Sequence, residues 1–162
     1  SLGMTYDDSV RIDPLHLGVG ALYKSGITVV AAGGNSGPAA KTISSPGNSP
    51  YVITAGCCGT SGVSEFSSRG PAGTYMKPDL VAYGEDICSL APGKTATATQ
   101  SGTSMSAPVV SGAAACLYSA YPQLTAYQVK RILMSATIPF EQEGRNSQGY
   151  GRLDADMLKE LI

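Results

Sequence analysis

The apolar residues of this chain are spaced in ways that separate helices from strands. Asp13-Pro14 reads as a helix start, a capping side chain followed by proline at the first helical position. Leu15, Val19 and Leu22 then recur at i, i+4 and i+7, giving one apolar face. Gly18 and Gly20 weaken that helix but allow close packing on a sheet, and Gly26 ends it. Ile27 to Ala32 is an apolar run directly after the helix, the pattern of a buried parallel strand. Tyr51 to Ala55 predicts a second strand, and Asp79 to Ala82 and Ile87 to Leu90 two short ones. Thr95 to Thr99 alternates Thr and Ala, as an exposed ribbon or loop would.

The longest apolar stretch opens at Ser104 and is almost free of charge up to Tyr121, where Pro122 stops it. A helix without a polar face is expected to be surrounded by protein. Thr125 and Gln128 have the spacing of a capping box, with Leu124 and Val129 as its hydrophobic staple. Val129, Ile132, Leu133 and Ala136 form the stripe of the helix that follows. Residues 4–12 and 139–149 read as polar connections, and 38–50 and 59–78 as irregular, rich in Ser, Pro and Gly. Tyr150 to Leu153 and Leu158 to Ile162 close the chain, the latter as a short helix. Helices alternating with parallel strands make the fold class α/β, a mainly parallel sheet flanked by helices on both faces.

Composition narrows the classes of function. With 162 residues the chain is large enough for one domain with a core. Its net charge of −1 gives no reason to expect nucleic acid or an anionic membrane as partner. No apolar run reaches transmembrane length. The four cysteines, Cys57, Cys58, Cys88 and Cys116, lack metal-type spacing and read as buried small hydrophobes, which leans toward a reducing compartment.

Candidate chemistry lies at two places. Ser104 stands where a polar loop enters the long helix. The first N–H groups of a helix lack intrahelical partners and carry partial positive charge. A serine there is either an ordinary N-cap or a nucleophile in need of a base. Asn35 stands where the strand ending at Ala32 runs into Gly33-Gly34-Asn35-Ser36-Gly37, the usual edge for chemistry in open α/β sheets. It either accepts a turn conformation or offers its amide to a developing oxyanion. The glycine-rich turn lacks the Gly-Lys-Ser/Thr ending of a phosphate loop. Arg69 either contacts substrate or ties down its own loop by donating to backbone carbonyls.

Five segments in order carry a more specific likeness. Gly102-Thr103-Ser104-Met105-Ser106-Ala107-Pro108 resembles the nucleophile motif of the subtilisin-like serine proteases. Ala31-Ala32-Gly33-Gly34-Asn35-Ser36-Gly37-Pro38 resembles their oxyanion-hole segment, and Ser1-Leu2-Gly3 the substrate-binding strand end before it. Phe66-Ser67-Ser68-Arg69-Gly70-Pro71 and Lys77-Pro78-Asp79-Leu80-Val81-Ala82 match two further segments. Val109 stands where the family often has histidine, and Tyr83 where it often has proline.

The resemblance implies peptide hydrolysis by acyl transfer. Ser104 would attack the scissile carbonyl, and Asn35 with the Ser104 N–H would hold the oxyanion. Ser1, Leu2, Gly3, Ala32, Gly33, Gly34 and Thr103 would contact the polypeptide substrate, partly as an added strand. No cofactor is required. Calcium often stabilises this family, but no acidic cluster compels a site. The family's catalytic Asp and His lie upstream of the Ser-Leu-Gly segment, so neither is assigned here. The chain is therefore expected to be the carboxyl-terminal portion of the catalytic domain, needing the amino-terminal half as partner and inactive alone. His16, at the start of a helix, and Lys94, in a Ser–Lys dyad, are the two bases the chain itself offers. A non-catalytic relative serving binding or regulation is the alternative. An esterase is disfavoured because Ser104 does not lie in a Gly-x-Ser-x-Gly elbow.

Overall fold

A computed structural model describes residues 13–91, 93 and 96–162. The expectations for Ser1–Gly3, residues 4–12 and Lys94 lie outside those residues. Helix α1 (Pro14–Lys24) starts as its sequence dictates. The Asp13 carboxylate accepts from the Leu15 N–H at 2.9 Å, Pro14 occupies the first turn, and Gly26 follows the end at φ 83°. Its apolar face is narrower than the periodicity suggested: Val19 is buried, but Leu22 is exposed.

Strands β1 (Val30–Ala32), β2 (Ile53–Cys58), β3 (Leu80–Tyr83), β6 (Thr137–Ile138) and β7 (Arg152–Leu153) form one sheet in the order β1-β2-β3-β7-β6. All pairings except β6 with β7 are parallel. β2 is buried at every position and begins two residues later than its hydrophobic run suggested. Successive side chains of a strand point to opposite faces. Ala32, Ile53, Ala55, Leu80 and Ala82 thus face helices α2 (Thr103–Ala120) and α3 (Ala126–Ser135), with Leu158 of α5 (Ala155–Lys159) closing that core. On the opposite face Ala31 and Val52 pack against Val19 of α1. Helices cover both faces, as expected. The exposed ribbon is also found: β4 (Ile87–Leu90) pairs antiparallel with β5 (Thr97–Gln100).

Three expectations are corrected. Helix α2 is not enclosed on all sides. Val110, Ala114 and Leu117 are buried, whereas Val109, Gly112, Ala115, Cys116 and Ala120 are exposed. Lack of charge therefore does not mark it as surrounded among the described residues. Cys88 and Cys116 are exposed, and only Cys57 and Cys58 are the buried hydrophobes foreseen. The polar connection at 139–149 contains α4 (Arg145–Gln148), whose Gln148 is buried. Its side chain bonds the backbone of Phe140 and Glu143 in place of a hydrophobic plug.

Under β2 lies a buried ionic cluster. The Asp79 carboxylate accepts from Lys77 at 2.8 Å, Lys130 at 2.9 Å and the Thr54 N–H at 2.7 Å. Lys77, 1% exposed, also donates to Thr54 Oγ1 and the Val52 carbonyl, and Lys130 shares that carbonyl. Two cations thus depend on one anion. Asp79→Asn, which leaves the buried Lys77 ammonium and the half-buried Lys130 ammonium unbalanced, is expected to cost about 3–5 kcal/mol. Lys77→Met keeps the Asp79–Lys130 pair and should cost less; urea denaturation midpoints compare the two.

Burial, opposed by Asp79, pulls the Lys77 pKa down from 10.5 to about 8. Between those values the unfolded chain binds more protons than the folded one, so this group adds stability as pH rises. The stability of the wild type relative to Lys77→Met is therefore expected to be level below pH 8, to climb up to about pH 10.5, and then to level off. Denaturation of both proteins across that range measures it.

Candidate active site

The two candidate groups meet at the carboxyl edge of the sheet. β1 ends at Ala32 and the chain turns through Gly33-Gly34 to Asn35. At Gly34, with φ 106°, an added Cβ would lie 2.9 Å from the hydroxyls of Ser44 and Ser68, so glycine is required there. The segment Phe66–Ser68 holds the turn from outside. Gly37 N–H donates to the Phe66 carbonyl at 2.8 Å, Ser68 N–H to the Gly34 carbonyl at 2.9 Å, and Ser36 N–H to Ser68 Oγ at 3.1 Å.

From the other side comes the start of α2. Gly102 is the cap residue, Thr103 the first helical residue and Ser104 the second. No side chain caps this end, and the first turn carries no acidic residue. The structure therefore rules out Ser104 as an N-cap. Its N–H is among the orphan donors of the first turn, and no acidic residue in that turn neutralises the positive end of this 18-residue helix. Ser104 is half-buried. Pro108 lies inside the helix, where it has no N–H to give the Ser104 carbonyl.

Thr103 joins the two sides. Its N–H donates to Asn35 Oδ1 at 3.0 Å and its hydroxyl to the same oxygen at 2.9 Å, while that hydroxyl accepts from the Gly34 N–H at 3.1 Å. With the oxygen end of the amide tied down, the Asn35 orientation is fixed and its NH₂ end is left to donate elsewhere. That end lies beside Gly102, where an added Cβ would be 3.2 Å from Nδ2. Asn35 itself is exposed. The arrangement brings two candidate donors, the Asn35 amide and the Ser104 N–H, to the start of α2 together with a serine hydroxyl. Such a pair can stabilise an oxygen that gains negative charge during acyl transfer.

Other candidates separate from this centre. The N–H of Gly33 is taken by the Ala55 carbonyl and that of Gly34 by Thr103, while the Gly33 carbonyl accepts from Ser44. With buried Ala32, these glycines can wall a pocket, but their own N–H groups are already engaged. His16 lies edge-on to Tyr51, ring centroids 6.4 Å apart, in a cleft between α1, Tyr51 and Tyr75. It has no hydrogen bond to Ser104. Arg69 ties its own loop, donating to the Ser64 carbonyl at 3.3 Å. Cys58 is no rival nucleophile, because burial pushes its thiol up to about 12. Among the described residues no three His, Cys, Asp or Glu side chains group as a metal site of those ligands would need. No helix among them is long and apolar enough to cross a membrane. Sequence reasoning had no role for Ser68 or the Asp79 cluster; their only signal was membership of segments shared with a known family.

Comparison with known proteins agrees with this geometry. The profile described as "Subtilase family" matches residues 1–151. The chain is 37% identical over 172 residues to serine protease AprX of Bacillus subtilis, covering 92% of this chain and 39% of that protein. It is 41% identical over 116 residues to subtilisin DY of Bacillus licheniformis, covering 70% of this chain and 40% of the relative. Among solved structures, the self-cleaved protease domain of PatA superimposes with a TM-score of 0.83 at 28% identity, covering 99% of this chain and 59% of that one. Sphericase gives 0.81 at 28% identity, covering 96% and 55%. The chain thus spans about two-fifths of the length of these curated relatives. With a family match across nearly its whole length and subtilisin-like neighbours in both sequence and fold, the chain belongs to the subtilase family of serine peptidases.

Proposed function

We propose that this chain is the Ser104-bearing part of a subtilisin-like endopeptidase that hydrolyses polypeptides through an acyl-enzyme. The observation that carries this reading is the double hydrogen bond from Thr103 to Asn35 Oδ1, which turns the amide's donor end toward the start of α2. Ser104 Oγ adds to the scissile carbonyl carbon as a general base takes its proton. The carbonyl electron pair moves onto oxygen, which is held by Asn35 Nδ2 and the Ser104 N–H. The intermediate collapses, the C–N bond breaks, and the amine leaves with the proton the base returns. Water then repeats the sequence on the ester and frees Ser104. Ser1, Leu2 and Gly3 contact the substrate backbone; Ala32, Gly33 and Gly34 wall the pocket.

The base comes from a part of the catalytic domain outside these 162 residues. Two features support this. His16 faces Tyr51, and α2 and β1 carry surfaces that further structure could cover: the exposed apolar side of the helix, and an edge of β1 with no partner among the described residues.

A fluorophosphonate probe tests the reading. The parent polypeptide should be labelled at Ser104, as read by peptide mass, and the Ser104→Ala variant should not. The isolated chain should stay unlabelled. Labelling of the isolated chain would place a base within it, and an unlabelled parent would mark a non-catalytic family member. In the parent enzyme, Asn35→Ala should lower kcat by about 10²–10³-fold with KM little changed, the loss known for the corresponding donor of subtilisin. Thr103→Val, which removes the hydroxyl bond to Asn35 Oδ1 and keeps only the backbone N–H bond, loosens the amide and should lower kcat by roughly tenfold, since misplaced donors lose transition-state stabilisation. Steady-state kinetics on one peptide substrate reads both.

A further inference from the structure

A second cleft lies close to Asn35 and takes no part in the chemistry above. It forms where residues 37–42 run along residues 66–71. Thr42 N–H bonds the Arg69 carbonyl at 2.9 Å, Lys41 N–H the Gly70 carbonyl at 3.1 Å, and Gly70 N–H the Asn146 carbonyl at 2.8 Å. The cleft has a volume of about 350 Å³ and is lined by Pro38, Ala40, Arg69, Arg145 and neighbouring backbone. Pro38 is three positions on from Asn35, so the two are at most about 10 Å apart along the chain.

Its charge is one-sided. Arg69 and Arg145 both line it, no carboxylate does, and neither arginine is ion-paired among the described residues. The nearby Glu143 carboxylate accepts from Ser147 at 2.6 Å. Arg145 is held with its guanidinium 5.1 Å from the centre of the Tyr150 ring. Arg69 spends one nitrogen on the Ser64 carbonyl, and its Nη1 is enclosed without any acceptor. An enclosed charged donor without an acceptor is unfavourable, and two planar forks on one cleft match the geometry of a carboxylate. Burial works against the charge of Arg69 and Glu143 supports it.

We propose that this cleft is a specificity subsite that takes a carboxylate, the side chain of an Asp or Glu about three residues from the scissile bond of the polypeptide substrate. This rests on the reading of Asn35 and Ser104 as the acyl-transfer centre, which fixes where the scissile bond lies. The same chemistry could serve a free anion, and the test separates the two.

The parent polypeptide is given matched peptides that carry Glu or Gln at the third position on either side of the cleaved bond. The Glu peptide of one pair should have a kcat/KM about tenfold higher at low salt, a preference that shrinks as salt rises. Arg145→Gln and Arg69→Met should each reduce the Glu/Gln ratio by threefold or more. Arg145 is exposed, so its variant should fold even where the Arg69 variant does not. Binding of the same peptides to Ser104→Ala, followed by fluorescence anisotropy, gives the ratio independently of turnover. Equal binding and cleavage of both members of every pair would overturn the subsite while leaving the peptidase intact. A Glu preference in binding with no cleavage of either peptide would keep the subsite and overturn the catalytic reading. Stabilisation by millimolar inorganic phosphate together with a Glu/Gln ratio of one would assign the cleft to free anions and overturn its role in specificity.

Discussion

The candidate site depends on one contact between segments far apart in sequence, Thr103 with Asn35. The strand-end turn supplies an amide with no fixed orientation of its own, and the helix start supplies N–H groups with no acceptor. Thr103 resolves both at once, using its N–H and its hydroxyl on a single oxygen. A serine here could satisfy the same oxygen, but its methyl-free side chain rotates more freely. The rest of the structure serves to bring these two segments to one edge. β1 and β2 fix the height of the turn, the Phe66–Ser68 segment presses it from outside, and α2 crosses β1, β2 and β3 so that its positive end arrives opposite.

The sheet that sets this geometry is itself held by an unusual interior. β2 is flanked on one side by small apolar residues and at its base by a carboxylate with two ammonium partners. Those partners come from the segment before β3 and from α3, so the cluster binds the sheet's centre to the helix behind it. Such groups are poor sources of net stability compared with apolar packing. What they supply is register: Asp79 accepts from the Thr54 N–H, fixing where β3 begins relative to β2.

Much of this was legible in the chain. Local chemistry gave α1 through Asp13-Pro14 and α3 through its Thr125/Gln128 capping box, whose two bonds are both present. Asn35 and Ser104 were found because each stands at a boundary between an apolar run and a small-residue loop. The misses are features that no local hydrophobic period records. Lys130 reads as an ordinary helix lysine until β2 is placed beside it. β6 and β7 are two residues each, too short for any period to register. Cys116 and Cys88 looked like core because their neighbours are apolar, yet one sits on the outer side of α2 and the other on a ribbon clear of the sheet. Gln148, polar and buried, is invisible to any hydrophobic pattern.

The side of β1 that has no strand partner among the described residues has a consequence for handling the chain by itself. Val30, Ala31 and Ala32 carry no charge or proline that would discourage a neighbouring strand, and no bulge twists them away. Sheet borders of that kind recruit whatever extended backbone they meet. In a dilute preparation of residues 1–162 the readiest source of such backbone is another copy, so concentration, rather than temperature alone, sets how long the protein stays in solution. The same few residues that bring Asn35 to its place would then seed the loss of the sample.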